Sequence, residues 1–125
     1  PVALDDLRGE WVLLFFYPKN GTPVCTAEVC AFRDEFSAYR ERGVRLIGVN
    51  LEKSQRHKRF IAKHNLPFPL LWDRQKRISR RYGALGPLGL YCRRSYFLID
   101  PEGVVSKVWS PVKVAGHVQD VIDSF

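Results

Sequence analysis

Seven consecutive apolar residues, Trp11-Val-Leu-Leu-Phe-Phe-Tyr17, constrain the fold more than any other stretch of the chain. A run so rich in aromatic and branched side chains has no polar face to offer water. It therefore reads as a strand covered on both sides, the kind found at the centre of a sheet layered by helices. It is far short of the ~20 apolar residues that a membrane helix requires. A second apolar run, Val44 to Val49, predicts a companion strand.

Between these strands a turn-rich segment, Pro18-Lys-Asn-Gly-Thr-Pro23, leads into Val29, Phe32, Phe36 and Tyr39. Their three- and four-residue spacing predicts one amphipathic helix, closed by Gly43. Ser54 is placed to cap a helix running to about His64, with Phe60 and Ile61 on its buried side. Phe68 to Trp72 predicts a short strand, and Asp73 a cap for a basic helix that Gly83 ends. Ser95 to Asp100, a turn through Gly103, and Val104 to Trp109 predict a hairpin. Gly116 to Phe125 predicts a last helix. Crossovers combined with a terminal hairpin require a mixed sheet covered by helices, an α/β architecture.

A length of 125 residues fits one domain, here 1–125, with one core. Without a methionine, Pro1 is expected not to be the native start, which leaves room for a leader before it. The net charge of +7 permits an anionic partner, but the basic stretch Arg74 to Arg81 carries no aromatic residue to stack on bases. It reads as a solvated helix surface, and neither nucleic acid nor membrane is expected as a partner. Three cysteines are too few for a disulfide framework. Their spacing to His57, His64 and His117 does not suit zinc, so no structural metal is expected.

Cys25 falls in the first turn of the first predicted helix, directly after the buried strand. Helix N-termini favour anions, and a thiol so placed ionises more easily, the thiolate being the reactive form. The competing reading is a small apolar residue that only fills space. Cys30 lies five residues on; in an intact helix the two Cα atoms would be about 8.6 Å apart. Bridgeable cysteines lie within about 7 Å, so a bond between them would require the first turns to unwind. Cys30 can equally be an inert core thiol.

The segment Phe16-Tyr-Pro-Lys-Asn-Gly-Thr-Pro-Val-Cys-Thr-Ala-Glu28 resembles the active-site motif of peroxiredoxins, Pro-x-x-x-Thr-x-x-Cys. With Cys30, Phe32, Arg33 and Asp34 it is similar to the bacterioferritin comigratory protein, or PrxQ, branch. The resemblance continues through Leu46-Ile-Gly-Val, Ser54-x-x-His57-x-x-Phe60 and Lys63-His64-x-Leu66-Pro-Phe-Pro-Leu-Leu71-x-Asp73. It ends with Arg94-Ser-Tyr-Phe-Leu-Ile-Asp-Pro-x-Gly103 and Val112-x-Val-x-Gly-His117. The family's usual N-terminal strands are expected to be missing here.

The resemblance implies a thioredoxin-like fold and reduction of hydrogen peroxide or organic hydroperoxides, without a cofactor. Cys25 matches the peroxidatic cysteine, Cys30 the resolving one, and Pro18, Thr22 and Arg94 the remaining active-site positions. It also implies a Cys25–Cys30 disulfide recycled by thioredoxin or glutaredoxin, in a cytoplasmic monomer. Chemically, Arg94 is a permanent multi-donor cation suited to hold a thiolate and steady a departing oxygen. Its alternative is a surface arginine beside Arg93. Thr22 can bond the thiolate or simply cap the helix, and Pro18 can exclude water or simply make a turn. Glu28 reads as a structural carboxylate. Cys92, two residues before Arg94, would share its strand face and reads as a spare thiol or an alternative disulfide partner. The rival function is a thiol–disulfide exchanger of thioredoxin type, which would want Cys-x-x-Cys where this chain has Cys25-Thr-Ala-Glu-Val-Cys30.

Overall fold

A computed structural model of the chain describes residues 8–109. The first apolar run forms β1 (Trp11–Phe16), and all of it except Trp11 is buried. The remaining strands are β2 (Val44–Asn50), β3 (Leu70–Trp72), β4 (Ser95–Ile99) and β5 (Val105–Trp109). They form one five-stranded sheet in the order β3-β2-β1-β4-β5. β1 pairs parallel to β2 and antiparallel to β4, so the most apolar segment takes the centre of a mixed sheet. β3 extends the parallel side and β5 the antiparallel side.

Alternation along β1 divides the core into two layers. Leu13, Phe15 and Tyr17 face the side that also buries Cys25, Val29, Phe32, Tyr39 and Phe60. Val12, Leu14 and Phe16 face the other, with Ala84, Cys92, Phe97 and Ile99. Phe15 stacks on Phe32 with ring centroids 4.5 Å apart and meets Phe68 edge-on at 5.6 Å. Gly48 in β2 lies under this cluster: a Cβ there would come within 2.6 Å of Leu70 and 2.8 Å of Phe15. Only a missing side chain lets those two groups approach the strand.

The helices are α1 (Pro23–Asp34), α2 (Phe36–Glu41), α3 (Ser54–His64) and α4 (Arg77–Arg81). The single helix expected before Gly43 is thus two. Glu35 sits between them at φ −99° and ψ 9°, with its N–H on the Ala31 carbonyl. Its own carbonyl then accepts the N–H groups of Ala38 and Tyr39, restarting the ladder as α2. The bend brings Tyr39 to 5.8 Å from the Phe32 ring and leaves Phe36 half-buried. Gly43 follows α2 at φ +71°, the left-handed stop expected of it.

Ser54 does not cap α3. The extended Lys53 takes the cap position, Ser54 is the first helical residue, and no side chain caps the end. Asp73 is not the cap residue of α4 either, because left-handed Lys76 takes that position; from three residues upstream its carboxylate still accepts the N–H groups of Ile78 at 3.3 Å and Ser79 at 2.7 Å. The hairpin turn is closed by the Asp100 side chain, which accepts from the N–H groups of Glu102 and Val104, each at 2.9 Å. The helix expected over 116–125 lies outside the described residues. Among those described, no helix is long and apolar enough to cross a membrane.

Candidate active site

β1 ends at Phe16, and the chain turns through residues 17–22 before α1 begins at Pro23. Proline suits this first helical position, where no N–H partner is lost. Two residues later Cys25 enters the core side of the helix and is only 1% exposed. The residue just before β4 meets it there: Arg94 Nη2 donates to Cys25 Sγ at 2.8 Å.

The guanidinium is aimed by a buried carboxylate. Arg94 Nε donates to Glu28 Oε1 at 3.1 Å, and the Tyr96 hydroxyl donates to Glu28 Oε2. Glu28, one turn after Cys25, is fully buried. Burial pushes its carboxyl up from the ordinary value, against the opposing hydrogen bond from Tyr96 and the charge of Arg94. For Arg94, burial pulls down, but the charges and hydrogen bonds of Glu28 and Cys25 outweigh it and leave the guanidinium raised. A single α1 face thus carries the thiol and the carboxylate that clamp one cation between them. The sequence reading of Glu28 as a structural carboxylate agrees with this. Tyr96 lies in β4 and Arg94 just before it, so their convergence on Glu28 follows from the fold rather than from strand alternation.

Thr22 takes the N-cap position of α1, and its carbonyl accepts the Thr26 N–H at 2.8 Å. Its hydroxyl donates to the Lys19 carbonyl at 3.2 Å, so it neither caps the helix nor touches the sulfur. The turn that carries it satisfies the hydroxyl locally. Pro18 and Thr22 line one wall of an open cleft shared with Leu51, Arg56 and Tyr91. The same turn is tied down by a polar chain that the sequence reading did not assign. Tyr17 Oη donates to Asn20 Oδ1 at 2.6 Å, Asn20 Nδ2 meets His57 Nδ1 at 3.1 Å, and Asn20 N–H donates to Glu52 at 2.8 Å. His57 is buried on α3, and burial pulls its imidazole below the usual value. The three-residue step from His57 to the buried Phe60 marks a shared helix face, which is the available signal for it.

Cys30 lies half-buried on α1, and all three cysteines are free thiols. Cys92 does not share a face with Arg94, contrary to expectation. Residues 92–94 precede β4, where strand alternation does not yet hold, and Cys92 packs in the layer on the opposite side of the sheet from Cys25. There its sulfur meets Ser79 Oγ at 3.2 Å. Burial pushes the Cys92 thiol up to about 11, beyond the help of the Ser79 bond.

A sequence model of the AhpC/TSA family matches residues 1–108. The chain belongs to that family. It is 38% identical to "Peroxiredoxin Bcp" of Bacillus subtilis, over 98% of this chain and 82% of the relative. It is 35% identical to "Peroxiredoxin Q, chloroplastic" of Sedum lineare, over 88% of this chain and 60% of that one. In three dimensions it matches the bacterioferritin comigratory protein of Xanthomonas campestris, a structure described for alkyl peroxide reduction. The TM-score is 0.92 at 32% identity, covering 98% of this chain and 82% of that one. The mixed sheet with its helices is therefore the thioredoxin-like peroxiredoxin fold, and the AhpC/TSA chain described here is a thiol-dependent peroxidase of the Bcp/PrxQ type.

The contrast between its cysteines gives a first test. In the native protein Cys92 is expected to resist alkylation at pH 8, and Cys92→Ala to keep full peroxide turnover. Because its folded value lies above the ordinary 9.0, the stability held by the buried thiol is intact below pH 9 and is lost as pH rises through about 11. Rapid Cys92 labelling at pH 8 in folded protein would contradict the burial argument.

Proposed function

We propose that the peroxidase reaction runs through Cys25 as the attacking thiolate, with Arg94 holding it and Cys30 resolving it. The observation that carries this reading is the 2.8 Å contact from Arg94 Nη2 to a buried sulfur at the start of a helix. Attack on the O–O bond of hydrogen peroxide or an organic hydroperoxide places the distal oxygen on Cys25 and expels water or an alcohol. Arg94, anchored through Nε on Glu28, keeps Nη2 free to stabilise both the thiolate and the leaving oxygen. Pro18 and Thr22 stand on the turn that leads into Cys25, Pro18 limiting water and Thr22, whose proton goes to the Lys19 carbonyl, offering the peroxide an acceptor oxygen.

The sulfenic acid then condenses with Cys30. Both cysteines belong to one helix, so no second copy of the chain is needed, and we take the working unit as a monomer. A thioredoxin- or glutaredoxin-like dithiol reduces the resulting bond by exchange. The need for a thiol reductant supports a cytoplasmic location, a compartment in which such pools are maintained.

Disulfide mapping after one equivalent of peroxide tests the reading. The expected product links Cys25 to Cys30 and is cleared by thioredoxin. Cys30→Ser is expected to react once, stall as the sulfenic acid and over-oxidise with excess peroxide. A Cys25–Cys92 bond, or steady turnover of Cys30→Ser with thioredoxin, would overturn the assignment of Cys30.

A further inference from the structure

Cys30 has a polar neighbour that the chemistry above does not use. Its Sγ lies 3.7 Å from Nδ1 of His64, the last residue of α3. That distance suits a weak hydrogen bond between a thiol and an imidazole nitrogen. His64 is itself held in place. Its ring meets Phe60 edge-on at 4.7 Å, and its carbonyl accepts from Arg33 Nη1 at 3.0 Å. Asn65 behind it turns left-handed at φ 52° and ends the helix there. Two polar contacts thus tie α1 to the end of α3, and one of them grips the sulfur that must leave.

We infer that His64 is a latch on Cys30, a positioning residue that retards disulfide formation and sets how readily Cys25 over-oxidises. The inference rests on the assignment of Cys30 as the resolving thiol. The His64 contact exists only while Cys30 stays on folded α1, and it must break before the two sulfurs can meet. An interaction present in the starting state and absent from the transition state raises the barrier.

The sulfenic acid at Cys25 has two competing fates. In one, the Cys30 sulfur attacks the Cys25 sulfur, the S–S bond forms, the S–O bond breaks, and water leaves with the Cys30 proton. In the other, a second peroxide gives an oxygen to Cys25, its O–O bond breaks, and sulfinic acid and water (or alcohol) result. The latch slows only the first fate, so it shifts the partition towards the second.

His64→Phe removes the nitrogen but keeps a ring for Phe60. Rapid-quench mass analysis should show disulfide formation about 2- to 10-fold faster in this variant, the span expected for loss of one modest hydrogen bond. The peroxide concentration that over-oxidises half the enzyme should rise by the same factor. The rate of first oxidation at Cys25 should not change, which a general loosening of the fold would not achieve. His64→Gln, which offers an amide acceptor, should return part of the way to wild type, and it decides the matter should His64→Phe fail to fold. If both variants partition as wild type while Cys30→Ser stalls, the latch is wrong and Cys30 keeps its role. If Cys30→Ser resolves normally, the fault lies in the assignment of Cys30.

Discussion

Cys25→Ser is expected to consume no peroxide, and Arg94→Ala to reduce it roughly 10²- to 10³-fold more slowly, the loss typical of one preorganised donor at a developing anion. Cys25 is 1% exposed and its sulfur receives a donor from Arg94 at 2.8 Å. Without that cation, a buried thiolate would have lost water and kept only the helix start as compensation. Arg94→Lys should recover only part of the rate. The guanidinium meets Glu28 through Nε and Cys25 through Nη2 at once, and a single ammonium cannot hold both directions. Stopped-flow oxidation of the two variants with one equivalent of peroxide measures the loss. Arg94→Ala with a wild-type rate would remove Arg94 from the mechanism.

The parts of this site that the sequence makes legible are those carried by local pattern. A seven-residue apolar run rich in aromatic and branched side chains reads as a central strand, and Cys25 follows it at a turn that ends in proline, so strand, turn and helix start are all readable from the sequence. What pattern does not carry is the backbone angle of one residue or the meeting of distant segments. Val29, Phe32, Phe36 and Tyr39 keep helical spacing straight through Glu35, so nothing in the periodicity marks the bend there. Alternation suggests one face for Cys92 and Arg94 only if the chain is already extended, and β4 begins one residue after Arg94. The pairing of Cys30 with His64 spans 34 residues and two helices. It depends on how α1 lies beside α3, which no local signal encodes.

Oxidation is expected to melt the first turns of α1 and leave the sheet intact. Both cysteines lie in α1, Pro23–Asp34, where helical geometry holds their Cα atoms about 8.6 Å apart, against a limit of about 7 Å for a disulfide. The bond can form only if that geometry is given up. The helix is also poorly defended at its start: no side chain caps it, and no acidic residue occupies its first turn. Its far end is better held, since Phe32 is fully buried and stacks on Phe15. Unwinding should therefore be greatest over residues 24–30 and fade towards 34. Hydrogen exchange of the Cys25–Cys30 disulfide form should run roughly 10²-fold faster over those amides than in the reduced protein, as for a local opening made about 3 kcal/mol easier. Amides of Leu13 to Phe16 should stay protected, because β1 is bonded to β2 on one side and β4 on the other. Cys30 leaves its His64 contact in the same step and moves towards solvent, where an exchanging dithiol can reach it. An oxidised protein that carries the Cys25–Cys30 bond yet exchanges over 24–30 as slowly as the reduced form would show that the helix accommodates the bridge, and the unwinding argument would fail.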